Sequence, residues 1–250
     1  MSIAAVILAL NEEDHIRDCI KSVAWADRVV VFMDGRSSDR TRELAEAAGA
    51  EVMENPFENF AQQRNAALAA VEADWVLFVD SDERSSPAQA DEIRAKVADA
   101  TYNGYWIPRH NYIFGKLTRH TGWYPDYQLR LLRQGTARYA SERPVHEVVQ
   151  LDGEAGYLEN PFVHYNYRSV QQFRAKQRRY VQYDAQILHE QGIQPKPHKF
   201  ITAPLRHFVW RFVQLDGYRD GLHGLRLSLL MAWYELQKYV HLRRLVKRAR

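Results

Sequence analysis

The sequence has almost no cysteine and no long apolar segment. Cys19 is the single cysteine among 250 residues, so no disulfide can form within one chain, and a reducing compartment fits this composition. No uncharged apolar run approaches the roughly 20 residues that a membrane-spanning helix requires. The apolar stretch 1–10 has no basic segment and is followed at once by acidic residues, which predicts a buried strand rather than a secretion signal. We therefore expect a cytoplasmic protein.

Internal repeats, low-complexity segments and a strong overall charge are also lacking. The formal net charge is +3, and the hydrophobic content of 46% is enough to fill an ordinary core. A charge this small gives no indication of a nucleic-acid partner. The last residues of the chain nevertheless concentrate basic side chains: Arg243, Arg244, Lys247, Arg248 and Arg250. The positive charge is therefore local rather than global.

The first hundred residues alternate strand-like and helix-like stretches with short connections. This alternation predicts an α/β fold with a mostly parallel, Rossmann-like sheet covered by helices. We expect strands at 4–10, 28–33, 51–53 and 75–79, and helices at 38–48, 59–71 and 87–98. Another helix follows the first strand: Asn11 is expected to cap it, and Ile16, Ile20 and Val23 share one face at helical spacing.

The character of the chain changes after about residue 100. Residues 102–167 are rich in aromatic side chains, arginine and histidine, which predicts longer strands and loops with a binding pocket. From residue 170 the pattern is helical, with a break at Pro195 and Pro197, and it ends in an apolar helix at 225–246. We therefore predict a domain at 1–168, divided after residue 100 into two halves, and a helical C-terminal extension at 169–250.

Two acidic residues stand where the apolar strand 75–79 ends. Asp80 and Asp82 flank Ser81, and an open α/β sheet usually presents its ligand site at the carboxyl ends of its strands. Carboxylate oxygens suit Mg²⁺ or Mn²⁺, ions that can carry a diphosphate. An isolated Asp-x-Asp also fills turns and caps helices, so the pair alone is a weak signal.

Polar side chains follow the neighbouring strands as well. Asn11 and Glu12 follow the first strand and Asp34 follows the second, and the carboxyl ends of parallel strands meet at one edge of a sheet. Groups of this kind can accept hydrogen bonds from a nucleobase and a ribose, and Arg64 adds a donor from the helix before the fourth strand. We predict a nucleotide site, although Asn11 and Glu12 also suit a helix cap, and Arg64 a surface ion pair.

Successive blocks of the sequence resemble inverting family-2 glycosyltransferases. The matching blocks follow the family order at 5–13, 31–41, 62–67 and 75–83. Later blocks at 123–133, 143–147 and 164–167 resemble the subgroup that includes the lipopolysaccharide-core β-1,4-glucosyltransferases. The resemblance implies a glycosyltransferase A fold and an inverting transfer of a hexose, such as glucose, from a nucleoside diphosphate sugar to a glycan or glycolipid, such as the lipopolysaccharide core. It makes 1–100 the nucleotide-sugar-binding half and 101–168 the acceptor-binding half.

The resemblance also assigns roles to residues. Asn11, Glu12, Asp34 and Arg64 would hold the nucleotide, while Asp80, Ser81 and Asp82 would hold the diphosphate and the Mg²⁺ or Mn²⁺ cofactor. His164 is either a further metal ligand or a structural histidine. The second block departs from the family pattern Asp-x-Gly-Ser-x-Asp, because Gly35 comes one place early and Arg36 stands at the glycine position. If that position needs a positive φ angle, Arg36 is strained there.

An inverting transfer needs a general base at the acceptor hydroxyl group. Asp126 is the first candidate, because the aromatic-proline segment before it can fix a carboxylate, and Glu147 is the second. Acceptor contacts are predicted from Trp123, Tyr124, Arg130 and His146. The two aromatic residues also suit an apolar core, and Arg130 could instead face the diphosphate.

The C-terminal helix leaves two interpretations open. Its apolar side and the basic tail suit peripheral contact with an anionic inner leaflet, but a helix that simply packs on the domain fits the same pattern.

Two other functions are also open. One is a phosphohydrolase with Asp80 as nucleophile, which Arg84 disfavours because such sites usually place a hydroxyl residue soon after the acidic pair. The other is a non-catalytic sugar- or lipid-binding scaffold, which would tolerate replacement of Asp82 by alanine.

Overall fold

The computed structural model describes residues 1–99, 101–140 and 149–248. The chain packs as two compact units, of which the first comprises 1–109 and 126–164 and the second comprises 110–125 and 165–250. The predicted domain boundary at residue 168 lies close to the last crossing between the units. Residues 110–125, which we predicted for the acceptor-binding half, group instead with the C-terminal helices.

The first unit is built on four parallel strands in the order β3-β2-β1-β4. Their bounds are Ile3–Ala9 (β1), Arg28–Asp34 (β2), Glu51–Asn55 (β3) and Trp75–Asp80 (β4). The central strands β1 and β4 are buried along nearly their whole length, which is why their sequences are continuous apolar runs rather than alternating ones. The predicted α/β fold is confirmed, and each of the four strands lies where the sequence pattern indicated.

Strand register brings the ends of these strands together. Leu8 on β1 pairs with Asp80 on β4, and Asp34 at the end of β2 pairs with Asn55 on β3. The polar residues at the strand ends therefore share one edge of the sheet, as the parallel topology predicted.

Helices cover both faces of this sheet. Their bounds are Ile16–Val23 (α1), Thr41–Ala47 (α2), Phe60–Ala70 (α3) and Pro87–Asp99 (α4). The apolar layer on one face includes Ile16, Ile20 and Val23, each at most 2% exposed, which confirms the predicted face of α1. The layer on the other face includes Ala67 and Leu68 of α3.

A side chain caps α3 but not α1, for which a cap was predicted. Asn59 caps α3, because its Oδ1 accepts a hydrogen bond from the Gln62 N–H at 2.9 Å. The prediction that Asn11 caps α1 is wrong, since α1 begins at Ile16 and no side chain caps it. Asn11 has a φ angle of 55°, and its side chain accepts a hydrogen bond from the Ser38 N–H at 2.8 Å. It therefore ties the end of β1 to the loop after β2.

Antiparallel strands lie beyond β4. In chain order the remaining strands are Glu83–Arg84 (β5), Gly104–Ile113 (β6), Lys116–Thr118 (β7), Tyr127–Arg133 (β8), Ala137–Tyr139 (β9), Val149–Leu151 (β10), Ala155–Tyr157 (β11) and Phe162–Tyr167 (β12). β8 pairs with β4, and the first half of β6 pairs with β8. β12 pairs with β5, with His164 opposite Glu83. A late segment of the chain therefore lies beside the Asp-x-Asp turn.

The second unit is mainly helical. It contains Val170–Glu190 (α5), Lys199–Val209 (α6) and Gly221–Arg248 (α7), with a π-helical turn at Trp210–Gln214 and a 3₁₀ turn at Gly217–Asp220. Its apolar core includes Phe173, Leu227 and Tyr234. The turn before α7 is so tight that a side chain on Gly224 would collide with the Gly217 carbonyl oxygen. None of the helices in the described residues combines the length and the apolar character that crossing a bilayer needs.

Candidate active site

The Asp-x-Asp turn connects β4 to β5 and is held by its own residues. The buried Glu83 carboxylate accepts a hydrogen bond from the Asp80 N–H at 3.0 Å. Arg84 donates to the Ser81 carbonyl at 2.7 Å and to the Glu83 carbonyl at 2.7 Å. These bonds satisfy backbone groups inside the turn and set the positions of Asp80 and Asp82.

Arginine side chains from three other elements surround Asp80. Arg64 of α3 donates to Asp80 Oδ1 at 3.1 Å, and Arg130 of β8 donates to Oδ2 at 2.5 Å. Arg109 of β6 lies 4.0 Å from the same Oδ2. Arg64 is only 4% exposed, and its guanidinium also packs over the Phe78 ring, 4.9 Å from the centroid. Asp80 is therefore the central anion of a buried cationic cluster.

Arg109 extends this cluster to the candidate base. Its Nη1 lies 3.3 Å from Glu83 Oε1, and its Nη2 lies 2.7 Å from Asp126 Oδ2. Gln128 donates to the other oxygen of Asp126 at 3.0 Å. Asp126 is thus fixed in orientation, and a single guanidinium group links it to the Asp-x-Asp turn.

Burial and charge act differently on the neighbouring carboxyl groups of Asp80 and Glu83. Burial tends to raise the pKa of Asp80, but the surrounding arginines, Arg130 first, outweigh it, so the pKa lies well below its ordinary value. Burial raises the pKa of Glu83, and the negative charge of Asp80 raises it further. Asp80 is therefore the permanent anion, and Glu83 is the carboxyl group that more readily carries a proton.

Asp82 and His164 form a second pair at the same turn. The His164 Nε2 atom lies 3.4 Å from Asp82 Oδ2, and 32% of the Asp82 side chain is exposed. A carboxylate oxygen and an imidazole nitrogen at this separation can bind one divalent cation. Across the described ranges, no group of three or more potential protein ligands is present. The pair can supply two ligands to Mg²⁺ or Mn²⁺.

The residues after β1 are held by the loop after β2. The Asn11 N–H donates to Ser37 Oγ at 3.1 Å, and the Glu12 N–H donates to Thr41 Oγ1 at 2.7 Å. The Glu12 carbonyl accepts the first backbone hydrogen bonds of the α1 region. Hydrogen bonds thus join the loop after β1 to the loop after β2, and Asn11 and Glu12 lie at the predicted nucleotide edge.

Asp34 lies at this edge with its carboxylate already paired. It is 3% exposed, and Arg36 approaches it to 2.5 Å. The hydrogen bonds from Arg36 lower the pKa of Asp34 below its ordinary value. Arg36 does not adopt a positive φ angle, so the condition under which it would be strained is not met.

The predicted site residues divide between the two units. The first unit brings together Arg64, Asp80, Ser81, Asp82, Asp126, Arg130 and His164. Trp123 and Tyr124 belong to the second unit, where their rings lie 6.0 Å from Tyr167 and 5.1 Å from His110. His146 and Glu147 lie outside the described residues.

Sequence reasoning missed Glu83 and Arg109. Glu83 directly follows the Asp-x-Asp, but residue type alone does not indicate that it accepts the Asp80 N–H. Arg109 lies inside β6 with no local signal. Antiparallel pairing gives it a role, because it places the Arg109 N–H 3.1 Å from the Asp126 carbonyl oxygen. Only knowledge of the strand pairing could have identified it.

Comparison with known families identifies the chain. The model for glycosyl transferase family 2 matches residues 4–162. The chain belongs to glycosyl transferase family 2. The matched range contains Asp80, Asp82, the three arginines around them and Asp126, and it ends just before His164.

Two relatives agree with this membership, and one solved structure shares the fold. The lipopolysaccharide core biosynthesis glycosyltransferase LpsC of Rhizobium meliloti (strain 1021) is 26% identical over 246 residues, covering 94% of this chain and 89% of that protein. An uncharacterized glycosyltransferase of Rickettsia bellii (strain RML369-C) is 26% identical over 254 residues, covering 97% and 86%. The crystal structure of S. aureus TarS 1-349 has a TM-score of 0.50 at 15% identity and covers 96% of this chain and 91% of that chain. The predicted family resemblance and the glycosyltransferase A fold are confirmed.

The Glu83 side chain should stabilise the protein mainly through its hydrogen bond with the Asp80 backbone. Glu83→Leu leaves that buried N–H without an acceptor and should lower the free energy of unfolding by about 1–3 kcal/mol. Glu83→Gln keeps an acceptor oxygen and should lose clearly less. Both variants replace the carboxyl group that faces Arg109, so their difference in urea denaturation isolates the backbone bond. Equal losses would contradict this role.

Proposed function

We propose that this protein is an inverting glycosyltransferase that moves a hexose, such as glucose, from a nucleoside diphosphate sugar to a glycan or glycolipid. The observation that carries the proposal is the Asp82–His164 pair, which lies next to the Asp80–arginine cluster because Asp80 and Asp82 share one turn. A cation site next to fixed guanidinium groups suits the diphosphate of such a donor. Asp126 adds a carboxylate on the same network for activation of the acceptor.

The nucleotide would lie along the ends of β1 and β2. Asn11 and Glu12 line this edge, and the Asp34 carboxylate can accept hydrogen bonds from N–H groups of a base. Arg64 is buried beneath Asp80 and would act by orienting that carboxylate rather than by reaching the base. Ser81 is also buried and would contribute through the backbone of the turn.

Asp82 and His164 would hold Mg²⁺ or Mn²⁺. When bound, the cation supplies positive charge that stabilises the departing nucleoside diphosphate. The role of Asp80 as a direct metal ligand stays a prediction. Both of its oxygens accept hydrogen bonds from arginines, which favours a role in orienting positive charge around the diphosphate.

Asp126 would take the proton from the acceptor hydroxyl group during transfer. Inversion requires the acceptor to attack from the side opposite the leaving group. The general base must therefore be a different residue from the carboxylates that lie beside the diphosphate. The hydrogen bonds from Arg109 and Gln128 keep Asp126 in one orientation. Glu147 stays the alternative base.

The acceptor is proposed from a relative and from the predicted aromatic contacts. The similar Rhizobium protein is named for lipopolysaccharide core biosynthesis, which supports a core glycan or glycolipid. Trp123, Tyr124 and His146 stay predicted acceptor contacts. Arg130 donates to Asp80, which favours the diphosphate over the acceptor for this side chain.

Family membership favours glycosyl transfer over the phosphohydrolase alternative. Arg84 also stands soon after the acidic pair, where such hydrolases usually place a hydroxyl residue. The non-catalytic scaffold differs from the proposal in a measurable way, because it does not require Asp82.

We also propose peripheral contact with an anionic membrane surface through α6 and α7. Large apolar side chains are exposed on both helices: Ile201, Leu205 and Val209 on α6, and Leu222, Leu229 and Trp233 on α7. Residues 199–248 contain ten basic and three acidic side chains, a charge of +7 within a chain of net charge +3. Anionic headgroups would attract this surface, whereas a second copy presenting the same surface would be repelled.

Donor turnover should depend on the cation that Asp82 and His164 would hold. With Mg²⁺ or Mn²⁺ and a panel of nucleoside diphosphate sugars, the purified protein should slowly hydrolyse one preferred donor, and EDTA should abolish the reaction. Asp82→Asn and His164→Ala should both lose the thermal stabilisation that the cation and nucleoside diphosphate give together. Asp184→Asn, an exposed change on α5, serves as control. Unchanged acceptor binding without any donor turnover would instead support the scaffold.

Asp126→Asn should lower kcat for transfer to a core oligosaccharide by about 10²–10⁴-fold, the usual contribution of a general base. The Kd of the donor should stay near that of the wild type, because the substitution leaves the Asp-x-Asp turn in place. Gln128→Ala removes only one hydrogen bond to Asp126 and should have a smaller effect. An undiminished kcat in Asp126→Asn would remove this residue as the base and leave Glu147.

Replacing exposed leucines should weaken membrane binding without unfolding the protein. Leu205→Ser with Leu229→Ser should reduce binding to vesicles containing anionic phospholipid by about 10-fold or more, given the apolar area of two leucines. High salt should weaken wild-type binding as well. Ile193→Ser, at a 40% exposed site between α5 and α6, is the control. Equal vesicle binding, or self-association through this surface in sedimentation, would reject the proposal.

A further inference from the structure

Arg36 covers the carboxylate of Asp34 at the end of β2. The Arg36 Nε atom lies 3.0 Å from each Asp34 oxygen, and its Nη2 lies 2.5 Å from Oδ2. The Arg36 backbone N–H donates to Oδ1 at 3.0 Å. Only 3% of the Asp34 side chain is exposed, against 66% of the Arg36 side chain. The guanidinium group thus stands between the carboxylate and solvent.

The guanidinium group of Arg36 also lies over an aromatic ring. Its central carbon is 5.4 Å from the centroid of Phe57, which follows β3. Phe57 in turn contacts the ring of Phe60, which is 56% exposed. A flat group that points N–H donors at a carboxylate while one face lies on an aromatic ring imitates the hydrogen-bonding edge and the stacking face of a nucleobase.

We propose that Arg36 occupies the nucleobase position as an internal mimic of the base and is displaced when the nucleoside diphosphate binds. This inference rests on the proposed function, because it takes Asp34 as the group that reads the base. A base with N–H donors at that edge can replace the guanidinium on Asp34, whereas a base that presents only an acceptor there meets a carboxylate and is rejected. Arg36 therefore competes with any base that Asp34 can bind.

Displacement of Arg36 needs only a side-chain movement. Its φ angle is not positive, so the backbone is unstrained, and most of the side chain is already in solvent. Ion pairs of exposed side chains are weak, because water screens them and because ordering a long side chain reduces its entropy. Competition from Arg36 should therefore weaken nucleotide binding several-fold rather than prevent it.

The measurement compares nucleotide and phosphate affinities in three variants. Arg36→Gly removes the mimic, Arg36→Lys keeps the charge but not the planar donor fork, and Arg40→Ala removes an exposed arginine that pairs with Glu43. Calorimetry with UDP, GDP, CDP and ADP in the presence of Mg²⁺ gives the nucleotide affinities. Inorganic pyrophosphate, which has no base, gives the phosphate affinity. Thermal unfolding checks that each variant is folded.

We expect Arg36→Gly to bind its preferred nucleoside diphosphate about fivefold more tightly than the wild type, because the nucleotide no longer has to displace an arginine whose side chain is mostly in solvent. Arg36→Lys should lie between them, and Arg40→Ala should match the wild type. Pyrophosphate affinity should not rise in any variant.

Two results would overturn this inference in distinguishable ways. Unchanged or weaker binding of a nucleotide that the wild type does bind would reject the mimic and leave the proposed function intact; a parallel loss for pyrophosphate would identify Arg36 as a phosphate contact instead. Failure of every nucleoside diphosphate to bind either the wild type or Arg36→Gly would reject the proposed function as well.

Discussion

The carboxylate of Asp80 is the interaction on which the candidate site depends. Burying a guanidinium group away from water is unfavourable unless an anion accepts its hydrogen bonds, and Asp80 accepts bonds from both Arg64 and Arg130. Asp126 is the partner of the third arginine, Arg109. Three guanidinium groups face Asp80 and Asp126, and burial disfavours a negative charge on Glu83, so the cluster is rich in positive charge. An anionic diphosphate is the kind of group that would neutralise it.

The mixed sheet is what assembles this cluster. The parallel strands supply the acidic residues at their carboxyl ends, because all four strands end at one edge. The antiparallel strands β6 and β8 then run back beside β4 and carry Arg109, Asp126 and Arg130 to that edge or close to its flank. The short pairing of β12 with β5 adds His164. Parallel topology therefore provides the acidic residues at the strand ends, and antiparallel pairing adds Arg109, Arg130, Asp126 and the imidazole.

The sequence predicts the parts of this arrangement that depend on local pattern. Buried strands such as β4 are continuous apolar runs, and the polar residues at their ends follow from the parallel topology, so Asp80 and Asp82 could be located. Contacts that depend on strand register could not, which is why Arg109 and the buried bond of Glu83 were missed. The prediction that Asn11 caps α1 failed for a related reason. The Asn11 side chain accepts its hydrogen bond from the Ser38 N–H, in a loop distant in sequence, rather than from an N–H of α1.

Asp34 and Asp80 lie at the same edge of the sheet but differ in how deeply their arginine partners are buried. Both are strand-end carboxylates paired with arginine, and in both the pairing lowers the pKa. The partners of Asp80 are fixed by packing, with Arg64 and Arg130 at 4% and 8% exposure, whereas the Arg36 side chain is 66% exposed. A ligand can exchange only with a group that solvent already reaches. Under the proposed function, the fixed charge around Asp80 would stabilise the departing diphosphate, and the exchangeable charge of Arg36 would lie where the nucleotide is recognised.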